Sequence, residues 1–413
     1  MPLTYDPQLI QQTLAYAQKA LYEGDLSRGN RLLQRLHAAG HADAASHQML
    51  AVIATELGLF DHAQHHVGEA RRLAPAARAG ARYLLIRAWG AGFWADVLHT
   101  VHGLAIAEAT RRVPVIYWGR ECRYRSPGVD DAWRLYFEPV SSVTARDLAR
   151  GKRTFFPPKW TPENLRFQRV NKDQGEWGAT SGLLLLNRTE DVTVFDFFTE
   201  LDDFAPWFQP GHPLAAADPE PALGELYRRH LRLKPELAAE VDRLETELLG
   251  SRPRIAVHYR TQGIPKIMES VNRQALHPDA FIATIDRYLA SHADGGIYLM
   301  TDFLPAVAFF RERYGERLVC REVIRVENTD QKSVEIHLQH DGVALAHDVI
   351  FDSYLAARCE AFVGDGASGV SQAITRLKVW PSDRVTLFRP GQMALAGQVR
   401  RHGDPSPWWN PPE

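Results

Sequence analysis

From residue 236 onward, apolar runs of strand length alternate with amphipathic stretches of helix length. The pattern predicts helices over 235–249, 278–292, 304–314, 347–358 and 368–377, and strands over 254–259, 296–301, 317–321 and 361–364. Such alternation leaves few folds open. Parallel neighbours need a crossover, the crossover is a helix, and the result is a doubly wound, mostly parallel sheet. Residues 80–235 carry a sparser version of the same rhythm. A helix over 98–110 comes after Gly92-Phe93-Trp94, a strand is expected over 113–118, and a second over Ser181-Gly182-Leu183-Leu184-Leu185-Leu186. Five prolines between Pro206 and Pro221 mark a surface connection, and the proline- and tryptophan-rich tail 403–413 is irregular.

The first 78 residues differ. They read as helices only, broken at Gly24-Asp25, Gly40 and Gly58. A period of 34 aligns Ala17 with Ala51, Gly24 with Gly58, Leu26 with Phe60 and Leu36 with Ala70, and Pro75 closes the second unit. This is a tetratricopeptide-like pattern; the plainer reading is a four-helix cap. Two repeats bury too little core alone, so the module is expected to pack on the neighbouring domain or on another subunit. The expected organisation is α/β overall: a helical module over 1–78, then two Rossmann-like lobes, 79–235 and 236–413, facing a cleft.

A net charge of −2 gives no basic field for nucleic acid or an anionic membrane. No run reaches the roughly 18 apolar residues a membrane-spanning helix needs. Residues 1–6 carry no basic and apolar leader, and Cys122, Cys320 and Cys359 form neither a CxxC pair nor a metal spacing. A cytoplasmic protein with reduced thiols is expected.

The chemistry gathers at strand ends. Arg260 stands after the apolar run Ile255-Ala256-Val257-His258-Tyr259. A guanidinium there can fork onto a diphosphate, or can serve as a structural ion pair. His258, two residues earlier, faces the same side of the strand. Asp302 ends the next strand, where it can bind hydroxyls or cap the helix after it. Asp352 can accept from the two adjacent donors of a guanine edge or be a solvated helix-face charge, as Asp348 is expected to be. Gly364-Asp365-Gly366-Ala367-Ser368-Gly369 joins a strand to a helix; Gly364 and Gly366 would let backbone approach phosphate, and the helix N-terminus offers free N–H groups. It lacks the Gly-Lys-Ser/Thr ending of a Walker loop. Glu269, on the segment after Arg260, is either a general base or a surface charge. His62, His65 and His66, and His99 and His102, have spacings that can bind metal but are read as solvated helix residues.

Taken in order, these blocks resemble the α1,6-fucosyltransferases and the wider O-fucosyltransferase-like superfamily. The resemblance rests on Gly92-Phe93-Trp94, Leu98-His99, Ala107 to Arg112, Arg123-Tyr124 and Tyr136 to Val140, then on His258-x-Arg260, Thr301-Asp302, Ile350-Phe351-Asp352 and Phe362-Val363-Gly364 through Ser368. It covers roughly residues 85–380. It implies a two-lobe GT-B fold and metal-independent, inverting transfer from a GDP-sugar. It further implies that Arg260 holds the donor β-phosphate, His258 lines the nucleotide, Asp352 holds guanine, Ser368 meets phosphate, Asp302 lines the donor pocket and Glu269 falls near the family's base. Where the α1,6 enzymes read His-x-Arg-Arg, Thr261 stands in place of the second arginine, and a lone arginine is closer to the protein-O-fucosyl branch. The expected function is transfer of fucose or a related hexose to a glycan or protein hydroxyl, with the repeats a candidate hold for the acceptor. The alternatives are a non-catalytic repeat scaffold with a degenerate transferase domain, and a protein O-glycosyltransferase using another nucleotide-sugar.

Overall fold

The computed structural model of the chain describes residues 6–22, 25–73, 80–156, 159–166, 185, 188–196, 208, 211–215, 218, 220–260, 278–327 and 341–388. Four helices come first: α1 (Pro7–Tyr22), α2 (Leu26–Ala38), α3 (Ala44–Glu56) and α4 (Phe60–Leu73). Asp25 caps α2 by accepting from the Arg28 N–H. Asp43 and Ser46 cap α3 reciprocally, which satisfies two end donors at once. Gly40 and Gly58, with φ of +80° and +71°, turn the chain after α2 and α3 in a conformation only glycine adopts freely. The ends of α1 and α3, and the starts of α2 and α4, lie 34 residues apart, the period seen in the sequence. Ser46 through Thr55 are all buried, so α3 is enclosed on every side. Its core residues belong to one cluster that runs on into the α/β part of the molecule.

The first sheet holds β1 (Tyr83–Arg87), β2 (Val113–Tyr117), β3 (Phe155–Phe156) and β4 (Val192–Phe195), in the order β2-β1-β4-β3 and all parallel. Helix α5 (Phe93–Thr110) crosses from β1 to β2 and is buried on nearly every face. Two single-turn helices come next, α6 (Trp133–Tyr136) and α7 (Ala145–Leu148). After them stand α8 (Glu220–His230) and α9 (Pro235–Leu244), whose last turn widens to a π turn over Glu245–Leu249. The second sheet holds β5 (Arg254–Tyr259), β6 (Gly296–Thr301), β7 (Leu318–Val319), β8 (Ala361–Asp365) and β9 (Val385–Phe388), all parallel, in the order β7-β6-β5-β8-β9. Its helices are α10 (Asp279–Ser291), α11 (Leu304–Tyr314), α12 (Gly342–Arg358) and α13 (Gly369–Leu377). Strand order reverses beside β5, between β6 and β8, which opens a crevice at the carboxyl edge of the sheet.

Helix α8 braces the two lobes. Arg229 pairs with Glu108 at the end of α5, and Glu220 accepts from Arg376 of α13 at 2.7 and 3.0 Å. At the seam, the Trp94 indole N–H donates to Ser353 Oγ at 2.8 Å. Gly342 lies so close to the first lobe that a Cβ would stand 2.2 Å from the Arg123 carbonyl oxygen. Among the described residues no helix is long and apolar enough to cross a membrane.

Expectation and structure differ in places. Of the strand read at Ser181–Leu186 only Leu185 is described, and it is helical and buried; β4 lies further on, at Val192–Phe195. Val192-Thr193-Val194-Phe195 is β-branched and aromatic, as a strand prefers, and the rest of Ser181–Leu186 lies outside the described residues. Helix α12 begins five residues earlier than expected, because Asp341 caps it by accepting from the Val343 N–H. Strand β1 falls outside the expected set. His99 and His102 are not solvated: both are buried, and His99 stacks on Phe195 with ring centroids 4.4 Å apart. His62 and His65 are exposed, but His66 turns inward against His47. The connection around Pro206 and the tail 403–413 lie mostly outside the described residues.

Candidate functional site

The crevice beside β5 opens into a cleft of about 500 Å³ between the two lobes. Each wall has a reason in the local sequence. On the second lobe, β5 ends at Tyr259 and hands the chain to Arg260, whose side chain is 41% exposed. Asp302 stands after β6 in the same way and meets Arg260 only at 3.9 Å, from Oδ2 to Nε. Its other oxygen, Oδ1, is buried and takes no hydrogen bond. The N-cap position of α11 is Phe303, so Asp302 is not the cap. A loosely held guanidinium beside an unpaired carboxylate oxygen is a poor end state for an empty protein and a good start for a ligand.

His258 lies one turn of the pleat deeper, and its Nδ1 is 2.7 Å from Ser371 Oγ of α13. Burial, reinforced by the nearby Arg260 charge, lowers its pKa to about 3, so the imidazole is neutral near pH 7. The Ser371 contact explains Gly364, which pairs with His258 across β5 and β8. A Cβ on Gly364 would sit 2.5 Å from Ser371 Oγ. Gly364 therefore makes room for the Ser371 side chain. Gly366 is also committed: its N–H donates to the Phe388 carbonyl at 2.7 Å, and its own carbonyl accepts from Gln372. The residues of this turn that face the cleft are Gly369 and Val370. Ser368 holds the N-cap position of α13 without capping, and its Oγ is buried with no hydrogen-bond partner.

From the first lobe, Gly92 to Ala95 present the start of α5 to the same cleft. Asp96 shapes the approach by accepting from the Gly90 and Ala91 N–H groups at 2.7 and 3.0 Å. Gly92 has no side chain with which to cap. Two helix N-termini thus converge on one space, and both favour negative charge there.

The deep end of the cleft is set by α12. Asp352 Oδ1 accepts from Tyr298 at 2.7 Å and from Arg321 Nη1 at 3.1 Å. Arg321 Nη2 donates to Asp348 Oδ1 at 3.0 Å, so one guanidinium bridges both carboxylates. Asp348 is therefore not the solvated charge expected of it. Burial raises the Asp352 pKa, and Arg321 and Tyr298 oppose that rise. Leu345, Val349, Val323 and Ile324 also line the cleft and add apolar surface to it. Arg321 escapes a reading of the sequence because nothing in its own neighbourhood marks it; only the register of β7 against β6 brings it beneath α12. Glu269 lies outside the described residues. Among the described residues no three His, Cys, Asp or Glu side chains are placed to hold a metal ion.

The cleft lies at the switch point of a parallel α/β sheet, where open sheets of this kind commonly place a ligand, and residues of the first lobe complete its lining. No family model matches the chain, and no curated protein matches it in sequence. Among solved structures it is similar to the fucosyltransferase NodZ from Bradyrhizobium, at 17% identity over 72% of this chain and 93% of that one, with a TM-score of 0.47. A NodZ α-1,6-fucosyltransferase soaked with GDP-fucose gives 18% identity, the same two coverages and a TM-score of 0.46. POFUT1 in complex with GDP gives 14% identity over 76% of this chain and 100% of that one, with a TM-score of 0.42.

Proposed function

We propose that this chain is a GT-B glycosyltransferase that moves fucose or a related hexose from a GDP-sugar to a hydroxyl of a glycan or protein, with inversion and without a metal ion. In this reading 236–413 is the donor lobe, 79–235 faces the acceptor, and the enzyme works in the cytoplasm. One observation carries it: Arg260, the unsatisfied Oδ1 of Asp302 and the start of α13 gather at one inter-lobe cleft. Buried polar atoms left without partners are rare, and one on the wall of a crevice this size is accounted for by a polar ligand.

The chemistry is a single displacement. The acceptor oxygen bonds to the anomeric carbon as the bond from that carbon to the donor phosphate breaks. Charge builds on the departing diphosphate, where Arg260 and the ends of α13 and α5 meet it without reorganising. A carboxylate takes the acceptor proton: Glu269, or Asp302 at the cleft wall. His258, neutral, lines the nucleotide site without adding charge. The test is calorimetry with GDP, UDP and ADP on the unaltered protein and on Arg260→Ala. GDP should bind best, and the variant should lose at least tenfold in affinity, since a charge-assisted pair is worth roughly 1.5–3 kcal/mol. If none of the three nucleotides binds, the proposal fails.

A further inference from the structure

Helix α12 carries two carboxylates one turn apart, Asp348 and Asp352, and both line the deep end of the cleft. Arg321 takes Oδ1 of each, and Tyr298 fills the remaining place on Oδ1 of Asp352. A carboxylate oxygen accepts about two hydrogen bonds, so Oδ1 of Asp352 is full. Neither Oδ2 has a hydrogen bond among the described residues. A lone carboxylate would read the guanine edge with both of its oxygens; here Asp352 has one oxygen to offer and Asp348 has another.

We infer that the nucleobase is read by the pair, with N1–H on one carboxylate and the 2-amino group on the other, and with Arg321 setting their spacing. The inference rests on the GDP-sugar reading above and adds Asp348 as a specificity-determining residue. The surroundings fit a flat base. Val323, Ile324, Leu345 and Val349 line the same cleft as the two carboxylates, so apolar side chains stand ready to cover a ring whose polar edge meets Asp348 and Asp352. The guanidinium also answers an electrostatic problem. Two like charges at i and i+4 repel, and a base with two donors cannot neutralise both; the Arg321 charge leaves the pair net −1.

The experiment compares GDP with inosine diphosphate, which lacks only the 2-amino group, by calorimetry on the full chain. The variants are Asp348→Asn and Asp352→Asn. Each asparagine is expected to turn its oxygen to Arg321 and its NH2 to the cleft, where it opposes the donor it formerly accepted. One variant should lose roughly tenfold in GDP affinity and keep its affinity for inosine diphosphate within about threefold, while the other weakens both. Asp348→Ala guards against an amide that adapts, and should weaken GDP in the same sense as Asp348→Asn. Silence of both Asp348 variants toward GDP overturns the inference and leaves the donor reading standing. So does parallel weakening of both nucleotides by both asparagine variants. Failure of the unaltered protein to bind GDP overturns both.

Discussion

A serine hydroxyl sealed in protein without a partner, as at Ser368, has a stability cost of about 1–3 kcal/mol. The expected phenotype of Ser368→Ala is accordingly split. Denaturant unfolding of the empty protein should show stability unchanged or slightly raised, while nucleotide affinity falls; a loss of stability of about 1 kcal/mol or more would mean the hydroxyl is already satisfied. Gly364 is the opposite case, a residue with no side chain that nonetheless fixes a contact. In Gly364→Ala the new methyl meets Ser371 Oγ at 2.5 Å and the Phe362 ring at 2.7 Å. Overpacking of this kind should cost about 1–3 kcal/mol, read as a shift in the denaturant midpoint. Part of it should return in the double variant Gly364→Ala/Ser371→Ala, because the two sites share one contact.

Among the elements, the helical module holds a pH-sensitive junction. His37 of α2, His47 of α3 and His66 of α4 bring their rings together, with centroids 4.5 and 5.1 Å apart and the two Nδ1 atoms of His47 and His66 at 2.9 Å. Only one of those nitrogens can carry a proton while they share a bond. Burial and then the neighbouring imidazole of His47 lower the His66 pKa to about 4, and burial lowers those of His37 and His47. Asp43 and Glu69 pull the other way on His37 and His47, while Arg72, His65 and His62 add to the repulsion. The folded module thus binds protons less readily than the unfolded chain. Its stability is intact above about pH 6.5 and falls as pH drops toward about 4. Helicity tracked by circular dichroism should show this acid lability, and His66→Gln should blunt it.

These helices, and the second-lobe alternation from β5 to α13, are legible in the sequence because periodicity and glycine breaks are local signals. Strand bounds at Arg254–Tyr259 and Gly296–Thr301 can be read to the residue. The first lobe is legible only in part, since β1 and β4 are short and buried on both faces, where alternation disappears. At the site, Arg260, His258, Asp302 and Asp352 all line the cleft. What local sequence does not carry is partnership: Arg321 joins Asp348, and Ser371 joins His258, across elements far apart in the chain.

For the whole molecule, ligand and stability are linked. If GDP binds the folded chain alone, saturating it at about a hundred times its Kd should add roughly 2.7 kcal/mol to unfolding, seen as a rise in Tm. The lobes are linked too. Trp94→Phe removes the seam hydrogen bond to Ser353 and part of the ring packed beneath it, and should cost about 1–3 kcal/mol. Two of the places where the first lobe meets the second fall on α12, at Gly342 and Ser353, on either side of the carboxylates at Asp348 and Asp352. The helix is thus a shared axle: it belongs to one lobe by chain connection and to the other by attachment. A shift of the first lobe carries the floor of the deep pocket with it, so damage at Trp94 should be felt in nucleotide affinity although no part of that indole need touch the base.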